Sequence, residues 1–297
     1  MDSSEAISII ALLGAAATLG CASLRDIRTR QVPNRFWIFL SLLGIALILL
    51  RIKMDEERAE FALILVPIVA ILSDVYLDTE GDSALARIAP VVKYAIALIS
   101  VVALGALWAD DSYFQPLLAV PVMMMAFVAL YVLDIIKGGA DAKALIALSI
   151  VFPFVPTIGD LPLIAPLDST ASVLFPFAFA VLIDAAILVL FLPLGFLARN
   201  LASRDIKFPQ MLLGYMIDSD TDAPGFIWLM EHVEDGKHRT YTRPRADEST
   251  SEELLKLRQH GRSKVWVTPK IPFIVPMFVG LILATVAGNL LFLLFGF

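Results

Sequence analysis

Charged residues are scarce in this 297-residue sequence: they make up 18% of it, while hydrophobic residues make up 59%. Soluble domains carry about 25% charged and roughly 45–50% apolar residues, so composition excludes a water-soluble globular enzyme. The single cysteine, Cys21, excludes an intramolecular disulfide and a cysteine-based zinc module, and three histidines exclude a His-rich metal site. The net charge of −6 argues against a nucleic-acid-binding protein, which needs a basic face. We expect no cofactor and no metal.

The charges that are present are concentrated in one segment. Between Arg199 and Lys264 lie 22 of the 52 charged residues, 11 basic and 11 acidic, together with all three histidines. This pattern predicts an all-α polytopic membrane protein with a small α+β cytoplasmic insert before the last helix. We expect transmembrane helices one to seven in residues 1–198, the soluble insert in residues 199–270 and a C-terminal transmembrane helix in residues 271–297.

Runs of about 20 apolar residues predict the membrane helices. Eight runs qualify, although the sixth is short and the third contains Asp74: 5–25, 36–52, 60–77, 88–108, 116–136, 142–156, 171–198 and 271–296. Arginines follow the first run, so the positive-inside rule places that loop in the cytoplasm and the N-terminus outside the plasma membrane. Loops near 109–115 and 156–170 lack Lys and Arg, as outside loops should, whereas Lys53 and Arg58 break the pattern.

Sequence patterns in the insert predict a hairpin, a helix and an extended segment. Residues 226–229 and 239–242 are β-prone and flank an Asp-Gly pair, which predicts a hairpin. A helix is expected to end at His260 because Gly261 follows it. Residues 265–272 are expected to be extended and to lead into the last span.

Two aspartates at span ends differ from the other acidic residues. Asp26 lies at the cytoplasmic end of the first span, and Asp141 follows Gly138 and Gly139 at the start of the sixth. Taken alone, Asp26 is explained by ion pairs with nearby arginines and Asp141 by capping of a helix. Taken together, they lie on the same predicted membrane face. Two neighbouring carboxyls cannot both ionise easily, so one can activate water while the other donates a proton, as in metal-free peptide hydrolysis.

Three segments of the chain carry a family pattern: Ser23-Leu24-Arg25-Asp26-Ile27-Arg28-Thr29-Arg30-Gln31-Val32-Pro33-Asn34 with Trp37, Gly138-Gly139-Ala140-Asp141-Ala142-Lys143-Ala144-Leu145, and Val265-Trp266-Val267-Thr268-Pro269-Lys270-Ile271-Pro272-Phe273-Ile274-Val275-Pro276. Together they resemble the GxGD-type aspartic membrane proteases, and among these the archaeal preflagellin (type IV prepilin-like) peptidases. The resemblance covers about residues 5–52 and 120–297. Residues 55–115 are unmatched, and Ala140 replaces the second glycine of the G-x-G-D pattern.

The resemblance implies that Asp26 and Asp141 are the catalytic pair of an aspartic endopeptidase. It implies that the substrate is the short basic leader, the class III signal peptide, of archaeal flagellin or type IV pilin-like precursors. We expect supporting roles for the glycines at 138 and 139, which let a backbone approach closely, for Lys143 and for Asp134. The expected partners are the precursors and the lipid bilayer, without nucleic acid. The sequence leaves the true precursor and the oligomeric state open.

A second interpretation of the sequence assigns the protein to another functional class. Acidic residues within or beside spans are typical of proton relays, so Asp74, Asp134 and Asp184 together suggest a proton-coupled transporter. Transporters usually show paired repeats with broken helices at the midplane, and the sequence shows no such repeat. A scaffold for a secretion machine, with the insert as docking module, is a third reading; its function would survive loss of both catalytic aspartates.

Overall fold

The structure is a computed structural model that describes residues 3–77, 84–164, 175–220, 226–234, 236–242 and 250–295. It is mostly helical, with a small sheet region near the C-terminus, and its long apolar helices are those of a multi-pass membrane protein. The chain forms two compact units, which we describe separately. The first consists of residues 1–186 and 272–297, and the second of residues 187–271. The boundaries predicted at residues 198 and 270 stay predictions.

The first unit is a helical bundle. In the described residues its first seven helices are α1 Ser3–Thr29, α2 Arg35–Met54, α3 Leu65–Tyr76, α4 Ala84–Trp108, α5 Phe114–Val132, α6 Gly139–Val151 and α7 Phe177–Leu190, and a 3-10 helix at Ala59–Ile64 precedes α3. The last residues of α7 belong to the second unit. After the second unit the chain returns to the bundle with α11 Ile274–Val286 and α12 Leu290–Phe295. The helices α1, α2, α6 and α11 pack together, and α3 packs against both α4 and α5.

Six helical segments of the described chain are long and apolar enough to cross a membrane: Ser3–Thr29, Arg35–Met54, Ala59–Tyr76, Ile88–Trp108, Phe114–Val132 and Phe177–Ser203. The predicted count of eight is not confirmed, because α6 and α11 are 13 residues each. Pro153 follows α6 closely and disfavours helical backbone in the residue before it. The predicted last span is divided at Gly288, which has a φ of +91°.

The close packing of α2 on α6 depends on Gly44. A Cβ atom at this position would lie 2.8 Å from the backbone carbonyl carbon of Ile150. Trp37 and Leu40 in α2 are fully buried, as are Ala144 and Leu145 in α6. The contact therefore fixes α6 against α2. Because α2 begins only six residues after α1 ends, it also keeps α6 near the end of α1.

The second unit begins with α8 Leu192–Ser203 and contains a three-stranded antiparallel sheet, a hairpin and one longer helix. Its other elements are the short α9 Gln210–Leu213, β1 Tyr215–Asp218, β2 Ile227–Leu229, β3 Glu231–Glu234, β4 Lys237–Thr240, α10 Thr250–Gln259 and β5 Lys264–Pro269. The central strand β5 pairs with β1 on one side and β2 on the other. Its core is small and apolar: Ile227, Leu229, Leu254, Leu257, Val265 and Val267.

The predicted hairpin forms, but with a different first strand. Strands β3 and β4 pair around Gly236, which has a φ of +71°, whereas Asp235 lies outside the described residues. The expected first strand, residues 226–229, instead contributes β2 to the sheet with β5. A two-residue turn pairs the residues that directly flank it, so the hairpin forms from β3 and β4. Residues 226–229 lie further from the turn, and the apolar side chains of Ile227 and Leu229 are buried in the core instead. The helix α10 ends as predicted before Gly261, which has a φ of +79°.

Two buried acidic residues bond to the hairpin, and one of them, Glu253, connects it to α10. The carboxylate of Glu253 accepts hydrogen bonds from the Val233 N–H at 2.8 Å and from Lys256 at 2.9 Å. Burial by itself would raise the pKa of Glu253, but these bonds stabilise the anion more strongly and the pKa lies below its ordinary value. Glu231, also buried, lies 2.9 Å from a ring nitrogen of His238.

Candidate active site

The first aspartate lies in the last turn of α1. Its backbone carbonyl accepts a hydrogen bond from the N–H of Arg30, which adopts a left-handed conformation with a φ of +55° and ends the helix. Pro33 then follows, and α2 starts at Arg35. The Asp26 side chain is partly buried, while Arg25 beside it is exposed. The end of the helix thus presents one carboxyl group to the bundle.

The second aspartate lies in the first turn of α6. Gly138, in extended conformation with φ −89° and ψ 115°, is the N-cap residue, and its carbonyl accepts the Ala142 N–H at 3.1 Å. Asp141 is therefore the third residue of the helix, where a negative charge is favoured by the helix dipole. Asp141 does not occupy the N-cap position considered from the sequence. Ala140, which replaces a glycine of the family pattern, is helical, a conformation that alanine adopts readily.

The Asp141 carboxyl covers the backbone of Gly138. A Cβ atom at position 138 would lie 2.1 Å from Oδ2 of Asp141 and 2.8 Å from its Cγ, so any side chain here would displace the carboxyl. At Gly139 the nearest atom to an added Cβ is the Tyr131 hydroxyl at 3.4 Å, an ordinary contact. The two glycines therefore have different roles: the first makes room for the carboxyl, and the second leaves space beside Tyr131.

The structure brings Asp26 and Asp141 together although 115 positions separate them in the sequence. Asp141 lies outside the six candidate spans and precedes the predicted span 142–156. Burial, together with the negative charge of nearby Asp26, raises the pKa of the Asp141 carboxyl to about 7. Near neutral pH this carboxyl therefore holds a proton for much of the time. An acid and a base in one site can act together on a peptide bond.

Further contacts connect the three segments that carry the resemblance. The Lys143 ammonium donates a 2.9 Å hydrogen bond to Oδ1 of Asn34, joining the second segment to the first. The Ser23 hydroxyl donates a 3.3 Å bond to the carbonyl of Ile274, joining the first segment to the start of α11. The supporting role expected for Lys143 remains a prediction, and the hydrogen bond that the structure shows for its ammonium is the one to Asn34. Sequence reasoning missed this role of Asn34, although it is the last residue of the first segment.

The remaining acidic candidates lie apart from the pair. Asp134 is exposed after the end of α5, where its φ of +57° stops the helix, and its supporting role stays a prediction. Asp74 is bonded to Lys93 and Tyr94 of α4. Asp184, buried in α7, accepts the Leu290 N–H at 3.0 Å. Within the described ranges, no hydrogen bond joins any of these three acids to another.

Metal-ligating side chains are not clustered in the part of the chain that the structure describes: no group of three or more His, Cys, Asp or Glu residues is placed to hold an ion. The described part of the site contains two carboxyls from separate helices, with glycine backbone and one lysine nearby.

Residues 206–290 match the family model described as Archaeal Peptidase A24 C-terminus Type II. The resemblance to the archaeal preflagellin and type IV prepilin peptidases is confirmed. No curated protein matches the chain. The matched range covers most of the second unit and α11, including the third of the three segments. The peptidase family indicates a protease that acts on precursor proteins. Asp26 and Asp141 both lie outside the matched range.

Proposed function

We propose that this peptidase is an aspartic endopeptidase that removes the short basic leader from archaeal flagellin or type IV pilin-like precursors. Asp26 and Asp141 are its catalytic pair, and no metal takes part. In this proposal the pair faces the cytoplasm at the membrane edge, the N-terminus lies outside the cell and the insert is cytoplasmic. The substrate's leader stays in the cytoplasm while its apolar helix lies in the membrane, so the scissile bond falls at the level of the pair.

The observation that carries the proposal is the proximity of the two carboxyls on separate helices. A solvated surface aspartate has no reason to approach a second one, because like charges repel. Here the negative charge of Asp26 contributes to the raised pKa of Asp141. The extended Gly138, over which the carboxyl packs, fixes the position of Asp141. A carboxyl that holds its proton near an ionised one is the combination that acid–base hydrolysis of a peptide requires.

The proposed mechanism assigns a different task to each carboxyl. The ionised Asp26 accepts a proton from a water molecule as that water attacks the scissile carbonyl carbon. Asp141 holds the other proton and donates it to the carbonyl oxygen, which becomes a hydroxyl of the tetrahedral intermediate. Collapse of the intermediate breaks the C–N bond, and the amine leaves with a proton from the pair. No covalent enzyme intermediate forms.

The experiment is co-expression with candidate precursors, scored by the size shift when the leader is removed. Asp26→Asn and Asp141→Asn should each lower the cleavage rate on the order of 10²–10⁴-fold, because each removes one partner of the acid–base pair. Asp160→Asn is the matched control, since Asp160 is an exposed aspartate of the same chain. All three variants should insert into membranes at the wild-type level. Cleavage retained by either Asp26→Asn or Asp141→Asn would refute the proposal.

The transporter interpretation predicts that function does not depend on Asp26 and Asp141. Its candidate acids Asp74, Asp134 and Asp184 lie in different parts of the bundle. Two of them have other partners: Asp74 is bonded to Lys93 and Tyr94, and Asp184 accepts the Leu290 N–H. Proton-coupled uptake in liposomes that survives both Asp26→Asn and Asp141→Asn would favour transport over proteolysis.

A further inference from the structure

An apolar groove lies between α4 and α5. It consists of two adjoining cavities of about 410 Å³ and 370 Å³, which share Ile71, Tyr94 and Met125 in their walls. One wall is formed by α4 and the other by α5, with α3 as the floor. Both α3 and α4 belong to residues 55–115, the part of the chain for which the resemblance offers no counterpart.

The floor of the groove is α3, which packs against both α4 and α5. Asp74 near the end of α3 is bonded to Lys93 and Tyr94, so α4 is fixed to α3. Lys93 also donates to the Ser73 hydroxyl at 2.9 Å. These contacts fix the α4 wall of the groove to its α3 floor.

One end of the groove is lined by residues of α6 that are close to Asp141 in the sequence, although neither Asp26 nor Asp141 lines the cavity. The first cavity is lined by Gly139 and Lys143 of α6 and by Tyr131 of α5. Gly139 is adjacent to Gly138, whose backbone the Asp141 carboxyl covers. A chain that leaves the groove at this end passes the start of α6, where Gly138 and Gly139 lie. Neither glycine has a side chain to block that path.

The polarity of the groove changes along its length. Asp74, Tyr131 and Lys143 line the end at α6. The other end is apolar, with Leu98 and Val101 on α4 and Leu118 and Val122 on α5. On α5 the lining runs from Leu118 to Val132, which is about 21 Å at 1.5 Å per residue, the length of a helix of roughly 14 residues.

We propose that this groove binds the apolar helix of the precursor, with the cleavage site at its polar end. The inference rests on the proposed function, because it takes the precursor's polar leader and apolar helix as the occupant. An occupant of that kind matches the groove in the order of its polar and apolar parts, and the polar end of the groove is lined by Gly139 and Lys143, both within two residues of Asp141. The pair α3 and α4 then serves as a substrate-docking element of the enzyme.

Neighbouring positions on α4 provide a matched pair of variants. Leu98 lines the groove and is 64% exposed, whereas Ile99 is 67% exposed but lines neither cavity. A tryptophan at either position has room on the helix surface. Leu98→Trp should fill the groove and raise the KM for a full-length precursor on the order of tenfold, because the packing of the precursor helix is lost. Its kcat should change little, and Ile99→Trp should resemble the wild type in both constants.

Crosslinking gives a second measurement that does not depend on turnover. A photoreactive amino acid is placed at position 98 or 99 in the full chain carrying Asp26→Asn, and the precursor is added in a bilayer. A precursor adduct at 98 at least several-fold stronger than at 99, and reduced by unlabelled precursor, supports docking in the groove. Lipid adducts at 98 without a precursor adduct would show that the groove holds an acyl chain and would overturn the inference.

The two proposals fail in different ways. If the wild-type chain cleaves the precursor but Leu98→Trp and Ile99→Trp have equal KM values, only the groove inference is refuted. If the wild-type chain cleaves no precursor, the proposed function is refuted and the groove inference with it.

Discussion

Replacing Gly138 by alanine tests the geometry of the candidate site through a single methyl group. The added Cβ would lie 2.1 Å from Oδ2 of Asp141, so the carboxyl must retreat by about 0.9 Å to restore even a 3.0 Å separation. The backbone at Gly138 has φ −89° and ψ 115°, which alanine adopts without strain. The fold should therefore persist while the carboxyl moves.

The expected cost falls on catalysis rather than on stability. Misplacing a catalytic group by about 1 Å can lower a rate on the order of 10²-fold. We expect Gly138→Ala to lose about that factor in the cleavage rate of a precursor, measured by the size-shift assay on purified protein. Its thermal unfolding temperature in detergent should remain within a few degrees of the wild-type value.

Gly139→Ala is the comparison for this prediction. Its Cβ would meet only the Tyr131 hydroxyl, at 3.4 Å, so we expect a markedly smaller loss than at position 138. Equal rates for Gly138→Ala and the wild type, in folded protein, would refute the reasoning that Asp141 must lie over residue 138 to act. Equal losses at both glycines would point to a general need for flexibility at the start of α6 instead.

Other predictions concern pH, the contacts around the site and the two units. Cleavage should slow about tenfold per pH unit above about pH 7 as Asp141 loses its proton, and a pH profile rising through pH 8 would contradict its role as the acid. Lys143→Met and Asn34→Ala should have similar effects on the cleavage rate, and the double variant should add little, because both remove the same hydrogen bond; additive losses would mean separate roles. Gly44→Ala should destabilise the bundle by about 1–3 kcal/mol through its clash with the α6 backbone, seen as a lower unfolding temperature; an unchanged temperature would show that α6 can shift. Glu253 has a lowered pKa in the folded state, so its stabilisation is present above its unfolded pKa and is lost as the pH falls through the folded value. Glu253→Gln should therefore lower the unfolding temperature at pH 7 but much less in strong acid; the reverse order would be inconsistent with this sign.

Composition and periodicity were sufficient for the membrane class, for most helices and for the small insert. Apolar runs fix where a chain can cross a bilayer, since length and hydrophobicity are local properties. The same local information found the hairpin turn at Gly236 and the end of α10 before Gly261. It did not give the number of long helices. The end of α6 before Pro153 and the break at Gly288 depend on backbone conformation as well as hydropathy.

The sequence by itself also determined which residues carry the candidate chemistry, because carboxyls are rare at the ends of apolar spans and two of them stand in recognisable segments. Only the tertiary structure decided that Asp26 lies near enough to Asp141 for its charge to act on that carboxyl, since no local pattern specifies the packing of helices more than 100 residues apart. It also decided that Lys143 bonds to Asn34 and that Asp74 is paired with α4. The groove beside α6 has the same origin: its walls come from α4 and α5, and only the packing of both on α3 creates the space between them.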